Sequence, residues 1–163
     1  MAEEKNLNDL FLETLKDIYY AEKQIVKTLP KMAKAAQSPE LAAGFEQHRD
    51  ETEVQIERLE QIFEQLGKPA RGKTCDAILG IIEEGKSIME DFKGTQALDA
   101  GLIAAAQAVE HYEMARYGTL RTWAQQLGMK DAVKLLEETL GEEEATDKKL
   151  TTMATSEANA KAA

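Results

Sequence analysis

The residues with chemical potential in this chain are carboxylates standing where a leucine or valine belongs. Leu15, Ile18, Ile25 and Leu29 step along one helical face, and Glu22 fills the middle place. Leu102, Ala106 and Val109 lead through Glu113 to Leu120, Ala124 and Leu127, with Glu110 on the same side as Glu113. Leu136 and Thr139 run into Glu143 and Asp147 before Leu150 and Ala154 resume the stripe. A fourth stretch sets His48 after Phe45, then Glu51, Thr52 and Gln55 ahead of Ile56 and Leu59. An unpaired carboxylate withdrawn from water costs several kcal/mol, against a domain stability of about 5 to 15 kcal/mol. Positive charge must therefore sit among these groups.

Two sources of that charge are open. Arg58 and Arg116 lie close enough in sequence to pair with the acids. However, Glu22, Glu51, Glu110, Glu113, Glu143 and Asp147 outnumber those two arginines. Two divalent or trivalent ions would balance most of the charge and take the oxygens as ligands. Hard oxygen donors with a minority of imidazole suit iron or manganese better than zinc or copper. The expectation is a dinuclear carboxylate centre with His48 as nitrogen ligand, the other reading of His48 being a hydrogen-bonded interior histidine. Within Glu142-Glu143-Glu144, Glu143 is chosen because Asp147, one turn on, shares its face. His111 is turned about 100° from the stripe and belongs at the surface. Tyr19, Tyr20, Tyr112 and Tyr117 could offer hydroxyls to the ligands or simply pack the core.

The elements that must position these groups are helices. Only three prolines interrupt a chain rich in Ala, Leu, Glu, Lys and Gln, which reads as all-α. The first helix runs from about Leu7 to Ala36, with Pro30 loosening or kinking its last turns. Ser38-Pro39 opens a second that stops at Gly67, and the segment Lys68 to Lys73 must be a loop. A shorter amphipathic segment follows from Thr74 to about Phe92. Gly94-Thr95 is expected to cap a third long helix ending near Gly128, and a fourth runs from around Met129 to about Ala154. The expected domain is 1–155, with 156–163 a frayed tail lacking any large apolar group.

Tight turns make the first and second long helices, and the third and fourth, antiparallel hairpins. The second helix spans about 40 Å at ~1.5 Å per residue. The stretch from Gly67 to Gly94 is long enough to carry the chain back along it. That gives a ferritin-like four-helix bundle with one long crossover containing a short fifth helix; an up-down-up-down bundle with a decorative loop is the alternative.

Composition narrows the function. Lys and Arg total 20 against 30 Asp and Glu, a net charge of −10 with no basic cluster, which argues against direct nucleic-acid binding. A single cysteine, Cys75, allows no intrachain disulfide and no thiolate cage. The charged opening Met1-Ala2-Glu3-Glu4-Lys5-Asn6 does not read as a secretory signal, and no apolar run is long enough to cross a bilayer. A soluble cytoplasmic protein without a membrane partner is expected.

Several stretches carry a family resemblance. They are Ala21-Glu22-Lys23-Gln24, His48 with Glu51-Thr52 and Arg58-Leu59-Glu60, Ala104 through Glu113 with Tyr117-Gly118-Thr119-Leu120, and Leu135-Leu136 with Glu142-Glu143 and Asp147. Together they resemble the YciF/YciE-type stress proteins, ferritin-like bacterial proteins, over nearly the whole chain. The resemblance implies a ferritin-like bundle, a dinuclear metal centre, a homodimer and expression under stress. Carried over by motif, the ligands would be Glu22, His48, Glu51, Glu110, Glu113, Glu143 and Asp147. The chain departs from the wider di-iron pattern of Glu-x-x-His on two helices: Val54 and Thr146 stand where those histidines would, and His48 precedes Glu51.

The function expected from these readings is a stress-associated protein binding two metal ions, iron first and manganese second, that handles iron or reacts with dioxygen or peroxide. The alternative is a non-catalytic dimeric interaction protein whose carboxylates are neutralised by Arg58 and Arg116.

Overall fold

A computed structural model describes residues 3–163. The first two residues of the expected domain, which also begin the segment read as lacking a secretory signal, lie outside the described residues. The chain forms α1 (Leu7–Ala35), α2 (Pro39–Gln65), α3 (Asp76–Asp91), α4 (Leu98–Gln126) and α5 (Lys130–Met153). The boundaries follow local chemistry. Asn6 accepts from the backbone of Asn8 while Asp9 accepts from the backbone of Asn6, a reciprocal cap that starts α1. Ser38 caps α2, with Pro39 in the first turn, where its missing N–H costs nothing. Gly67 (φ 63°) and Gly128 (φ 72°) end α2 and α4 in the left-handed conformation that a side chain resists. Pro30 does not end α1, which continues through it to Ala35.

Helices α1 and α2 form one hairpin and α4 and α5 the other, with α1 against α4 and α2 against α5. Asp99, in the first turn of α4, accepts from the backbone N–H groups of Gln37 and Ser38, both at 2.8 Å. Helix α4 thus starts beside the start of α2, and the two run parallel. On the other side, Gln47 meets Lys149 and Gln55 meets Glu142, an antiparallel pairing of α2 with α5. The fold is therefore the one-crossover, ferritin-like bundle, and α3 lies in the crossover, packed on α4 and α1.

The chain end differs from expectation. After α5 a π-helical turn (Ala154–Ala158) leads into a last helical turn, α6 (Asn159–Ala162), and Ala158 is buried. A small side chain suffices to dock this segment, because it lies beside Leu41, Ile103 and Met153.

The crossover seats closely at Gly101, where an added Cβ would lie 2.6 Å from Ile88 Cγ2. Ile88 is β-branched and cannot swing aside cheaply. Gly101→Ala is expected to cost about 1–3 kcal/mol in chemical denaturation, and adding Ile88→Ala should remove most of that specific penalty. If the paired change gives only the sum of the two single losses, the contact does not set the spacing of α3 and α4.

Candidate metal centre

Each long helix delivers polar side chains to one level of the bundle interior. Glu22 comes from α1, His48 from α2, Glu110 and Glu113 from α4, and Glu143 from α5; all five are buried. One ligand atom from each of His48, Glu110, Glu113 and Glu143 can be chosen so that all lie within 4.8 Å of one another. Glu22 extends the group electrostatically, since its carboxyl is influenced by Glu113 and Glu143.

Few of these atoms have partners. Tyr117 donates its hydroxyl to Glu22 Oε1 at 2.6 Å. His48 Nε2 approaches Glu110 Oε1 to 2.6 Å, although neither ring nitrogen has a well-aligned hydrogen bond. Glu22 Oε2, Glu110 Oε2 and both oxygens of Glu113 and of Glu143 are buried without a hydrogen-bond partner. Orphaned buried carboxylate oxygens are rare and costly in a folded protein.

The electrostatics reflect this crowding. Burial, opposed by Glu113 and Tyr117 and reinforced by the charge of Glu143, pushes the Glu22 carboxyl up to about 7. Burial and then the neighbouring acids hold Glu110 and Glu113 well above the usual carboxyl range. Burial pulls His48 down, but its contacts with Glu110 and Glu51 outweigh that and raise it well above the ordinary imidazole value. Burial also raises the Tyr117 hydroxyl, so it remains a donor to Glu22.

Arginine does not neutralise the cluster. Among the described residues, no lysine or arginine nitrogen lies within 4.0 Å of Glu22, Glu110, Glu113 or Glu143. Arg58 turns outward, bonding both oxygens of Glu142 at 2.7 and 2.9 Å, Thr139 Oγ1 at 3.1 Å and Glu138 at 3.3 Å. Arg116 lies on another face, against the Tyr112 hydroxyl at 3.4 Å and Asp17 at 4.0 Å. The reading in which Arg58 and Arg116 balance the interior acids is thereby corrected: each has a sufficient partner nearer solvent.

Two residues of the expected ligand set are not brought into the interior. Asp147 lies between α4 and α5, where it pairs with His111 at 3.2 Å and takes a long 3.3 Å bond from Gln107. His111 is 65 % exposed in its side chain, at the surface as its angle required. Glu51 sits at the rim, its side chain 31 % exposed and its Oε2 3.7 Å from His48 Nδ1, while Gln47 donates to its Oε1. Of the four tyrosines, Tyr117 supplies a hydroxyl to the cluster; Tyr19 bonds Glu60 and Tyr112 bonds Asp17.

Sequence reasoning missed the part played by Gln55 and Thr139. Both are fully buried, and they link the interior to the Arg58–Glu142 pair. Their only signal was polarity at a core register. Tyr117→Phe is expected to cost about 1–3 kcal/mol in urea unfolding of the metal-free protein at pH 8, because the hydrogen bond is made to an ionising group. A change within error would mean that the Tyr117–Glu22 contact is not maintained in solution.

Fold and site together define a ferritin-like bundle with a carboxylate-rich interior centre. The family model described as "Domain of unknown function (DUF892)" matches residues 6–163, and the chain belongs to that family. It is 46 % identical over 159 residues to Protein YciF of Escherichia coli K12, covering 97 % of this chain and 96 % of YciF. The crystal structure of that E. coli stress protein superposes with a TM-score of 0.91 over 96 % of this chain and 99 % of YciF, at 46 % identity. YcfI of Rhodopseudomonas palustris gives a TM-score of 0.88 at 48 % identity, over 91 % of this chain and 94 % of its own. A protein from Xanthomonas campestris pv. campestris, at 23 % identity and a TM-score of 0.71 over 92 % of both chains, shares the fold. No helix among the described residues is long and apolar enough to cross a membrane.

Proposed function

We propose that the bundle interior is a dinuclear metal centre held by Glu22, His48, Glu110, Glu113 and Glu143, and that the protein acts under stress by binding iron, or manganese in its place. The observation that carries this reading is the set of six buried carboxylate oxygens with neither hydrogen-bond nor ion-pair partner. Charge favours two ions. Four ionised carboxylates beside a neutral His48 total −4, which two divalent cations cancel. The donor set, oxygen with one imidazole, is of the kind that iron and manganese accept. The similarity to a protein described as a stress protein supports the physiological setting.

The bound ions would supply redox chemistry toward dioxygen or peroxide. The chain's own residues do the rest. Glu113, which feels the charges of Glu143, Glu22 and Glu110, would hold the ions together with Glu143, His48 and Glu110, whose ligand atoms can be chosen within 4.8 Å of one another. Tyr117 orients Glu22 by its hydroxyl, and the burial of all five ligand side chains closes the site to bulk water. Protein purified without chelator should contain close to two metal ions per chain by elemental mass spectrometry, and exhaustive chelation should lower its melting temperature by several degrees. Metal-free purification together with an unchanged melting temperature on adding Fe(II) or Mn(II) would contradict the reading.

A further inference from the structure

Beside the buried cluster a cleft of about 170 Å³ opens between α2 and α5, lined by Gly44, Gln47, Glu51, Glu142, Ala145, Thr146 and Lys149, with His48 as its floor. His48 divides cleft from core. Its Nε2 faces Glu110 in the cluster and its Nδ1 faces Glu51 in the cleft. The side chain is 5 % exposed, and Nδ1 is buried without a hydrogen-bond partner. Nδ1 and Glu51 Oε2 are 3.7 Å apart, too far for a hydrogen bond. That separation suits two ligands sharing one cation, each at about 2.0–2.2 Å.

The remaining groups of the cleft match this use. Glu142 is occupied by Arg58, Lys149 bonds Gln47 at 3.3 Å, and Gln47 donates to Glu51 Oε1 at 3.1 Å, which leaves Glu51 Oε2, on the side of His48, to meet an incoming ion. Gly44 and Ala145 contribute almost no bulk and keep the way to His48 open.

We propose that Glu51 and His48 Nδ1 form an outer site for a divalent cation at the mouth of the bundle, through which ions pass to the interior centre. The proposal rests on the metal-binding reading given above. Glu51 is then a capture ligand rather than a resident one. When a cation takes the Nδ1 lone pair, any proton there leaves to the water of the cleft, and Nε2–H stays on Glu110.

The test is the rate of Co(II) uptake by the metal-free full-length protein, followed by stopped-flow absorbance, together with the final number of ions bound. Glu51→Gln should slow loading tenfold or more while the final stoichiometry stays that of the wild type. Ala145→Phe, which narrows the cleft without touching a carboxylate, should slow it as well. Glu144→Gln, which removes an exposed charge of the same helix outside the cleft, should load at the wild-type rate. Equal rates in wild type, Glu51→Gln and Ala145→Phe overturn the port and leave the interior centre standing. Equal slowing in Glu144→Gln reduces Glu51 to part of a general acidic surface and also overturns it. A lower final stoichiometry in Glu51→Gln makes Glu51 a resident ligand and contradicts the capture role. Absence of Co(II) uptake by the wild type removes the interior centre and the port together.

Discussion

Stripped of metal, the protein is expected to lose stability as pH rises from about 5 to 8, the reverse of what its ordinary surface carboxylates would produce. The sign follows from proton linkage. Glu22 titrates at about 7 in the fold and near 4.5 when the chain is unfolded, so between those values the folded state holds a proton that the unfolded state has released. Stability then falls by about 1.4 kcal/mol per pH unit across that window, on the order of 3 kcal/mol for Glu22 alone. Glu110 and Glu113, raised further, act in the same direction and extend the loss above pH 7. His48 does so too, since its raised value gives stability that is complete below its unfolded pKa near 6.5 and lost as pH climbs through the folded one. Added Fe(II) or Mn(II) should reverse the trend, because the metal binds the deprotonated ligands and tightens as pH rises. Denaturation curves at pH 5, 6, 7 and 8, with and without metal, give the answer. Metal-free stability that climbs toward pH 8 would show that the interior acids are not strained by one another.

Glu113→Gln should separate stability from binding. Glu113 is fully buried, has no partner for either oxygen and feels the charges of Glu143, Glu22 and Glu110. Replacing it with a neutral amide of the same shape removes the most crowded of the like charges. The metal-free variant should therefore be more stable than the metal-free wild type at pH 8, by about 1–3 kcal/mol. On the proposed reading the same change also deletes a metal ligand. Metal content should fall by half or more, and metal-induced stabilisation should nearly vanish, while the helical circular dichroism is unchanged. A variant that keeps its metal, or is destabilised both with and without it, would remove Glu113 from the centre.

Much of this arrangement was legible in the residue pattern, and the limits have physical causes. Glu22, Glu113 and Glu143 betray themselves because each replaces an apolar residue in a stripe that resumes on both sides. Asp147 shares the face of Glu143 by spacing, yet it pairs with His111 at the edge between α4 and α5. Periodicity gives the angle of a side chain about its helix, not the depth at which a neighbouring helix covers it. Glu51 likewise points toward His48 but reaches only the rim. Arg58 could not be excluded as a neutralising group from sequence, because Glu138 and Glu142, which hold it, lie on another helix across the bundle. The contact of Tyr117 with Glu22 joins α4 to α1 across 95 residues, and no local spacing encodes it. The crossover could be read because the length between Gly67 and Gly94 is a property of the chain itself. The docked end could not, since Ala158 gives no apolar signal against its alanine-rich surroundings.

The most direct measurement is anomalous scattering at the iron and manganese absorption edges from a crystal of protein never exposed to chelator. Two anomalous peaks per chain, both within coordination distance of oxygens from Glu113 and Glu143, with Glu22 beside one and His48 and Glu110 beside the other, are the predicted result. A featureless interior at both edges, in crystals grown with Fe(II) or Mn(II) present, would contradict the centre.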